Sequence, residues 1–354
     1  MAIRKAADID VVKQGLYGTP AQVKIEDQHY TFFKDVLFGQ PSKSTSEDHM
    51  GLDYESIGVS LAEEVLKGAD PKRVNFRTGF NEKRIFGAYY DDEDQVDEGL
   101  CDNRVSMQEP IDKPWSLEDR LTYLLADKRD KISRSHDITF NKLCADAVLS
   151  GQFSVCNGGI QTFPVASALL SVSGANLSTA PVAALNAGIK AILKHKGAKP
   201  AMLLLNPDDA VTICESAAFQ AICNKEIRRG NEVFYKALDE NGAGWCGTIN
   251  LPGIGTIDVI SVYDAYVDKN NNNAWTYLLP QGKAILCPRT VGYKGFCGVF
   301  VDNGLYTGKE GVEHGTHIWR EEGPLPYTTH VQVQSAPVPM LTAIDRYCVF
   351  TNVA

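Results

Sequence analysis

The sequence contains few of the patterns that carry catalytic chemistry or cross a membrane. No two of its nine cysteines are spaced as Cys-x-x-Cys, so we expect reduced, mostly buried thiols and neither a zinc site nor a disulfide framework. A Walker loop, a Gly-x-Ser-x-Gly elbow and a His-Glu-x-x-His motif are all absent. The longest apolar runs, such as 201–205, are far too short to span a bilayer, and the first ten residues lack the apolar segment of a signal peptide. We therefore expect no catalytic residues, no cofactor, no metal and no membrane partner.

The composition suits a folded protein with an acidic surface. The chain has 354 residues, of which 44% are apolar, which is enough for the core of one large domain or of two. Its formal net charge is −9, whereas proteins that bind nucleic acid broadly are normally basic. An acidic protein can nevertheless enclose DNA without gripping it, because like charges keep the polymer away from the wall.

Two segments match part of a binding motif but lack the surroundings that the motif needs. Gly242-Ala-Gly244-Trp-Cys-Gly247 fits Gly-x-Gly-x-x-Gly, but a dinucleotide site requires a strand before that pattern and a helix after it. A polar stretch precedes it here and a predicted strand follows, so we expect a loop. Residues 268–273 begin like a calcium loop, yet Asn273 stands where glycine is needed and Leu279 where glutamate is needed. We expect a hairpin turn there.

Histidines and acidic residues form two further groups. His314 and His317 could offer two metal ligands, but Gly315 between them disfavours a helix, and a surface loop is the expected structure. The acidic run 91–94 is typical of a solvated loop, with a docking patch for a basic partner as the alternative. The scattered cysteines and histidines leave a Cys–His nucleophilic pair open, although no pattern points to one.

The first third of the chain lacks the periodicity of a self-contained domain. Residues 1–50 carry two apolar patches between polar turns, which is typical of an arm that docks on another body. Further on, 74–80 and 84–90 have strand-like composition, and the polar residues between them predict a hairpin turn at 81–83. Such segments gain stability mainly by burial against other parts of an assembly.

A long helix is the clearest element. Ser116 can cap its start, and Asp119 completes a capping box three residues later. Gly151 follows the last helical residues as a stop signal. An unbroken helix between these signals has about 33 residues and is roughly 50 Å long, which suits a spine across an extended plate. The apolar stripe that we expect to pack consists of Leu117, Leu121, Leu124, Leu125 and Ile132.

Residues 176–287 have the alternating pattern of an α/β unit. Pro181 begins a predicted helix that ends near Gly197, and 201–205 predicts a buried strand. Asn206 and Pro207 then mark a capped helix that reaches about Cys223. Two strands are predicted around the turn 252–255, at 248–251 and 256–262.

The C-terminal stretch predicts strands around a proline-rich break. Val331 and Val333 alternate with glutamines up to the break at 335–339, and a second alternating run covers 347–351. Because chain ends fray unless they are tied down, so apolar an end must be buried, either in its own domain or by a neighbouring subunit.

The order of several short segments resembles one protein family. Gln334-Ser335-Ala336-Pro337, a lone Asp345 and a closing strand resemble the end of the lambda-type major capsid protein of tailed bacteriophages, the major capsid protein E family. Asp264-Ala-Tyr-Val-Asp268, Tyr277-Leu-Leu-Pro280 and the strand 283–287 are similar to a strand, hairpin and Leu-Pro sequence of that family. Residues 128–153 resemble the end of its long helix running into a hairpin. Residues 302–324 resemble an insertion.

This resemblance implies an α+β subunit with the Hong Kong 97-type phage capsid fold. Such a subunit has an N-terminal arm, an extended loop that overlaps a neighbour, a peripheral domain with a long spine helix, and an α/β axial domain that converges at the centre of hexamers and pentamers. The corresponding parts of this chain are 1–50 for the arm, 51–112 for the extended loop, 113–176 with 288–354 for the peripheral domain and 177–287 for the axial domain.

It also implies a major capsid protein that is not an enzyme and that self-assembles into the icosahedral shell around the double-stranded DNA genome of a tailed phage. The implied partners are further copies of the chain, a scaffolding protein, a portal and a decoration protein. Assembly in the bacterial host cytoplasm would give a procapsid, which expands as DNA is packaged without sequence-specific binding. No extra domain precedes the arm, so we expect a separate scaffolding protein.

Two alternatives stay open. An encapsulin-like cargo shell shares the implied fold but holds enzymes in place of a genome. A cysteine- or metal-dependent enzyme is the other alternative. Genome-length DNA inside particles would exclude the first, and activity or bound metal in a purified monomer would support the second.

Overall fold

The structure is a computed structural model that describes residues 30–57, 78–97, 117–155, 159–172, 176–195, 198–224, 227–229, 232–234, 242–251, 255–268, 274–298, 313–321, 328–351 and 353. The helices in these ranges are a π-helix at Phe33–Leu37 and the α-helices α1 (Leu117–Ser150), α2 (Ser167–Leu170), α3 (Pro181–Lys194), α4 (Pro207–Glu215) and α5 (Ala217–Gln220). The strands are β1 (Gln40–Ser44), β2 (His49–Ile57), β3 (Thr78–Phe86), β4 (Tyr90–Asp97), β5 (Gln152–Val155), β6 (Gly159–Thr162), β7 (Met202–Leu205), β8 (Cys223–Asn224), β9 (Ile227–Arg229), β10 (Glu232–Phe234), β11 (Ala243–Leu251), β12 (Gly255–Val262), β13 (Ala265–Asp268), β14 (Ala274–Tyr277), β15 (Lys283–Cys287), β16 (Gly292–Phe296), β17 (Gly315–Glu321), β18 (Thr328–Ser335), β19 (Pro337–Leu341) and β20 (Cys348–Thr351).

A six-stranded sheet in the order β20-β15-β7-β12-β11-β8 is buried on both faces. Alternate residues of β7 belong to two different core clusters, Met202 and Leu204 to one and Leu203 and Leu205 to the other. A strand that is covered on both faces has a continuous apolar sequence, because neither face can carry polar side chains. The buried strand predicted at 201–205 is confirmed.

The C-terminal strand β20 is an edge of this sheet. It pairs antiparallel with β15, Ala284 lying opposite Phe350 and Leu286 opposite Cys348. Cys348 and Phe350 pack on one face of the sheet and Val349 on the other. The apolar end is therefore buried within its own subunit. The pairing also joins two strands that the predicted boundary at 287 assigns to different domains.

Helix α1 has 34 residues, which corresponds to a length of about 50 Å. It ends at Ser150, where Gly151 adopts a positive φ of 67°, the conformation that glycine takes most readily. The predicted long helix and its glycine stop are confirmed, whereas Ser116 and the capping box lie outside the described residues. Directly after the helix, the chain forms the antiparallel hairpin of β5 and β6.

The buried face of α1 differs from the predicted stripe. Leu121, Leu124 and Leu125 are only half-buried, because the first half of the helix extends past the core. The second half packs fully, through a set of side chains exposed by 4% or less: Phe140, Leu143, Cys144, Ala145, Ala147 and Val148. Core packing therefore lies at the C-terminal half of the helix, and the prediction for its N-terminal half is wrong.

A predicted turn and a predicted strand break are both largely strand in the structure. Residues 81–83 lie inside β3, which pairs with β2 over nine residues, so the hairpin turn predicted there is wrong. Polar composition marked this segment as a turn, but β2 and β3 pair only with each other in the described chain, and such a ribbon tolerates polar residues. The proline-rich segment 335–339 forms most of β19, an edge strand, where a missing backbone N–H costs least.

The sequence pattern predicts a single helix from Asn206 to about Cys223, whereas the structure has two helices there, α4 and α5. Asn206 caps α4 by accepting a hydrogen bond from the Asp208 backbone N–H at 2.9 Å, as predicted. Ser216 ends that helix with extended backbone (ψ 136°), and its Oγ accepts a hydrogen bond from the Phe219 N–H to cap α5. Serine is favoured at such caps, which explains the break.

Two smaller sheets lie beside the large one. The first has the order β1-β16-β19 and the second β17-β18-β4. Helix α1 contacts β4, β18 and β19, so it lies across both sheets. None of the helices in the described ranges is long and apolar enough to cross a membrane.

Candidate functional site

A short segment of the predicted arm is packed firmly into the subunit. We call residues 30–38 the arm anchor. Phe32, Phe33, Leu37 and Phe38 are exposed by 1% or less and belong to the same core cluster as the second half of α1. Burial of one such side chain contributes about 1.5–3 kcal/mol, so the anchor is held strongly. The anchor therefore holds residues 30–38 at a fixed place on the subunit.

Polar groups hold the anchor in register on α1. Asn141 of the helix accepts a hydrogen bond at Oδ1 from the Lys34 N–H (2.8 Å) and donates from Nδ2 to the Tyr30 carbonyl (3.3 Å). The same Nδ2 donates to Oδ2 of Asp264 at 2.7 Å, and that oxygen also accepts from the Phe33 N–H at 3.1 Å. We call Asn141, Asp264 and these backbone groups the polar lock. It joins the arm anchor, the long helix and the residue that precedes β13.

The carboxyl of Asp264 is unusual because it is fully buried. Burial raises its pKa from 3.8 to about 6, and the charge of Asp35 adds to the rise, although hydrogen bonds from Asn141 and from the Phe32 and Phe33 backbone oppose it. Its second oxygen, Oδ1, has no hydrogen-bond partner. The ionised carboxylate is thus hydrogen-bonded at one oxygen only, and burial favours its protonated form.

An ionic cluster covers the other side of the anchor. The Lys34 ammonium contacts the Asp137 carboxylate and lies 2.7 Å from Oε1 of Glu313. Burial alone lowers the pKa of Lys34, but the hydrogen bonds and charges of Asp137 and Glu313 outweigh it, and the net pKa is raised. Burial likewise raises the pKa of Asp137, while His314 and Lys34 reverse the shift and leave it lowered. Both groups are charged at neutral pH.

The possible metal ligand His314 lies in this ionic cluster. Potential ligand atoms of Asp137, Glu313 and His314 lie within 4.8 Å of one another, and His314 Nε2 is 3.3 Å from Oδ1 of Asp137. The Lys34 ammonium already supplies the positive charge at this position, so the cluster is complete as an ion-pair network. His317 lies in β17 and is not part of it. The surface loop predicted at 314–317 is wrong, since β17 begins at Gly315.

The acidic run 91–94 forms strand β4 and not the predicted loop. On one face of the sheet, Asp91 accepts hydrogen bonds from Gln332 (2.5 Å) and Gln334 (3.2 Å), and Glu93 lies 2.5 Å from Nδ1 of His330. These partners come from the neighbouring strand β18. No local pattern predicts this arrangement, because the partners follow more than two hundred residues later in the chain.

The other two acids of the run face α1. Asp92 Oδ2 is 2.9 Å from Nε2 of the buried His136, and Asp94 Oδ1 is 2.7 Å from the Lys128 ammonium. His136 and Lys128 are eight residues apart and so share one face of the helix. All four acidic side chains of 91–94 therefore have partners in their own subunit, and Asp92 and Asp94 link the sheet to α1.

The cysteines of the described ranges form no disulfide and are poor nucleophiles where burial is complete. Burial raises the pKa of Cys144 and Cys287 strongly and that of Cys297 and Cys348 to about 12. The thiolate is the reactive form, and these four thiols stay protonated at neutral pH. Their environment favours a packing role, as predicted from their spacing. Cys101 and Cys156 lie outside the described residues.

The two motif-like segments occupy strand hairpins. Residues 243–247 belong to β11, with a bulge between Trp245 and Gly247, so the predicted loop is wrong. β12 follows it and no helix, which excludes a dinucleotide site of the usual type. β13 and β14 pair antiparallel on either side of 269–273, and the hairpin predicted there is confirmed, while its turn lies outside the described residues.

Comparisons with known proteins give one family and several structural relatives. A family model described as phage major capsid protein E matches residues 21–352. No curated protein matches the sequence. The fold is similar to the capsid protein of a prophage of E. coli CFT073, with 15% identity, complete coverage of both chains and a TM-score of 0.63. A second similar structure is the capsid of cyanophage P-SCSP1u, with 10% identity, coverage of 96% of this chain and 94% of that chain, and a TM-score of 0.48. A third is the SrpI encapsulin of Synechococcus elongatus PCC 7942, with 11% identity, coverage of 100% of this chain and 96% of that chain, and a TM-score of 0.47.

Proposed function

The chain belongs to the phage major capsid protein E family, and from this membership we propose how its parts act in a shell. The protein is a major capsid protein, and copies of it form the capsid of a virion. The observation that carries this conclusion is the family match over nearly the whole chain, 21–352. The family resemblance and the Hong Kong 97-type α+β fold predicted from the sequence are both confirmed.

We propose that the subunit has four functional parts. The arm would be 1–50, the extended loop 51–112, the peripheral domain 113–176 with 288–354, and the axial domain 177–287. The ribbon of β2 and β3 supports an extended loop, because the two strands pair with each other over nine residues. The pairing of β15 with β20 favours moving the last strand to the axial domain.

The polar lock and the ionic cluster would set the direction of the arm. Four apolar side chains and the bonds of Asn141 fix residues 30–38 on α1, so residues 1–29 begin at a defined point on the subunit. We propose that they then reach a neighbouring subunit and stabilise hexamers and pentamers. A fixed origin lowers the conformational entropy that the arm loses when it binds.

The remaining partners are also proposals. We propose a separate scaffolding protein, a portal and a decoration protein, with assembly in the cytoplasm of a bacterial host. Double-stranded DNA would be enclosed without sequence-specific binding, which the net charge of −9 supports, because an acidic wall repels the phosphate backbone. We propose no enzymatic activity, since the buried thiols and the charged Lys34 cluster provide packing and ion pairs.

Electron microscopy of the full chain tests this function directly. We expect closed shells of uniform size, formed either by the chain alone or with a scaffolding protein. Particles purified from infected or induced cells should contain genome-length DNA, whereas packaged enzymes would indicate the encapsulin-like alternative. A stable monomer with catalytic activity and no particles under any condition would contradict the proposal.

A further inference from the structure

An open cleft with a volume of about 480 Å³ lies against the sheet β1-β16-β19. Strand β1 forms one wall, Tyr293 of β16 a second, and the turn after β19 the third. We call it the basic cleft. Its lining residues are Gln40, Pro41, Lys43, Tyr293, Thr342 and Arg346.

The described lining of the basic cleft carries positive charge. Of the six described residues that line it, two are cations and none is acidic, in a chain whose net charge is −9. The Lys43 ammonium lies 4.5 Å from the centroid of the Tyr293 ring. Arg346 is exposed, and its Nε lies 3.7 Å from Oδ1 of Asp345, a long contact for an ion pair. Two cations are thus available to a carboxylate from outside.

Strand β1, which lines the cleft, is also exposed to solvent. All five residues of β1 are exposed, and β1 is the edge of its sheet. Exposed strand edges are commonly covered in the assembled state, because their unpaired backbone groups and side chains favour contact with another chain. In a protein that forms a shell from its own copies, the nearest available chain is a second copy.

We propose that the basic cleft binds a carboxylate-bearing segment of a second copy of this chain. This inference rests on the proposed shell function. Charge complementarity favours a second copy, since the subunit has 44 acidic residues against 35 basic ones. A nucleic-acid track would need a continuous row of cations along the phosphate backbone, whereas the cleft has two. The contact is heterologous, because the cleft of one copy meets a different surface of the next.

Zero-length crosslinking tests the contact in assembled particles of the full chain. A water-soluble carbodiimide joins a lysine amine to a carboxylate only where the two touch, so we expect a dimer band on a denaturing gel, with Lys43 in its crosslinked peptides. The variant Lys43→Arg keeps the positive charge but cannot form the amide. It should assemble normally and lose that dimer band several-fold. An undiminished dimer band, or Lys43 crosslinked only within its own copy, would overturn the proposal.

Charge removal gives a second and independent measurement. We expect Lys43→Gln combined with Arg346→Gln to reduce the fraction of assembled subunits several-fold, while the melting temperature of the subunit stays unchanged. The control is Lys190→Gln with Lys194→Gln, which removes two exposed charges from α3. Normal assembly of the cleft variant, or an equal loss in the control, would count against the cleft.

Three further outcomes separate the cleft proposal from its alternatives. In one outcome, Lys43 forms the carbodiimide crosslink in empty shells and is protected from it in DNA-filled shells. A phosphate backbone then occupies the cleft, and the carboxylate proposal is wrong. If the unaltered chain forms no particles at all, the shell function fails first. If particles form but Lys43 never reaches a neighbour, only the cleft proposal fails.

Discussion

Asn141 donates a hydrogen bond from Nδ2 to Oδ2 of Asp264 at 2.7 Å, although 123 residues separate them in the chain. Both side chains are almost completely buried, and both also bond to the backbone of the arm anchor. A buried polar group that loses its partner costs about 1–3 kcal/mol, so the three elements of the polar lock depend on one another.

Asp264→Asn should remove a pH dependence of stability. The pKa of Asp264 rises from 3.8 to about 6 on folding, so the folded subunit binds the proton more tightly than the unfolded one. The free energy of unfolding therefore falls as the pH rises from about 4 to 6 and levels off above that, by on the order of 3 kcal/mol from this group. Urea melts of unassembled subunits should show this slope in the unaltered protein and a flatter profile in Asp264→Asn. The same slope in both proteins would contradict the assignment.

Leu143→Ala should destabilise the subunit more than Leu124→Ala. Leu143 is buried in the core half of α1, and its truncation should cost about 2–5 kcal/mol through lost contacts and a cavity. Leu124 is only half-buried and should cost less, roughly 1 kcal/mol. Urea titration of unassembled subunits measures both. Equal costs would mean that the N-terminal half of the helix packs as firmly as the C-terminal half.

Lys34→Met should destabilise the subunit, because it leaves the carboxylates of Asp137 and Glu313 without their ammonium. Removal of one partner of a fully buried pair costs about 3–5 kcal/mol, and the partial exposure of both acids should reduce this to about 2–3 kcal/mol. The matched control is Lys131→Met, whose side chain is 71% exposed and pairs with Asp127 on the helix surface. It should stay within about 0.5 kcal/mol. Thermal melts compare the two variants.

Deletion of residues 1–29 should leave a soluble subunit that forms few closed shells. The truncation keeps Tyr30, whose carbonyl accepts from Asn141, so the arm anchor and the polar lock remain intact. Gradient sedimentation and electron microscopy should find subunits or capsomers with normal melting temperature. Normal shells from the truncated protein would remove the proposed role of the arm.

Buried thiols should be inert in the folded subunit. Cys144, Cys287 and Cys348 are fully buried with raised pKa values, so iodoacetamide at neutral pH should label them only after denaturation. Shells should also be unchanged in dithiothreitol and should contain no zinc by elemental analysis. Rapid labelling of native protein at these positions, or stoichiometric zinc, would argue for a chemical role.

Several predictions from the sequence were wrong because the structure of the segment depends on residues that are distant in the chain. The run 91–94 has the composition of a solvated loop, yet it is a strand, because Gln332, Gln334, His330, His136 and Lys128 supply its partners. Leu121 and Leu124 form a convincing stripe with the other apolar residues of α1, but periodicity gives the direction of a face and not the extent of the core beneath it. His314 likewise enters the ionic cluster only when β17 meets α1.

Several elements could be predicted from the amino-acid sequence because their signals are local. These are the length and stop of α1, the buried strand β7, the asparagine cap of α4 and the hairpin of β13 and β14. Hydrogen bonds and side-chain periods within a few residues fix such elements, and the order of the motifs also identified the family. Only the tertiary structure decided that β20 pairs with β15, that Asp264 bonds to Asn141 and that Lys34 lies between Asp137 and Glu313. Each of these contacts joins residues far apart in the chain, and it depends on burial and on hydrogen bonds or ion pairs that form only when the subunit folds.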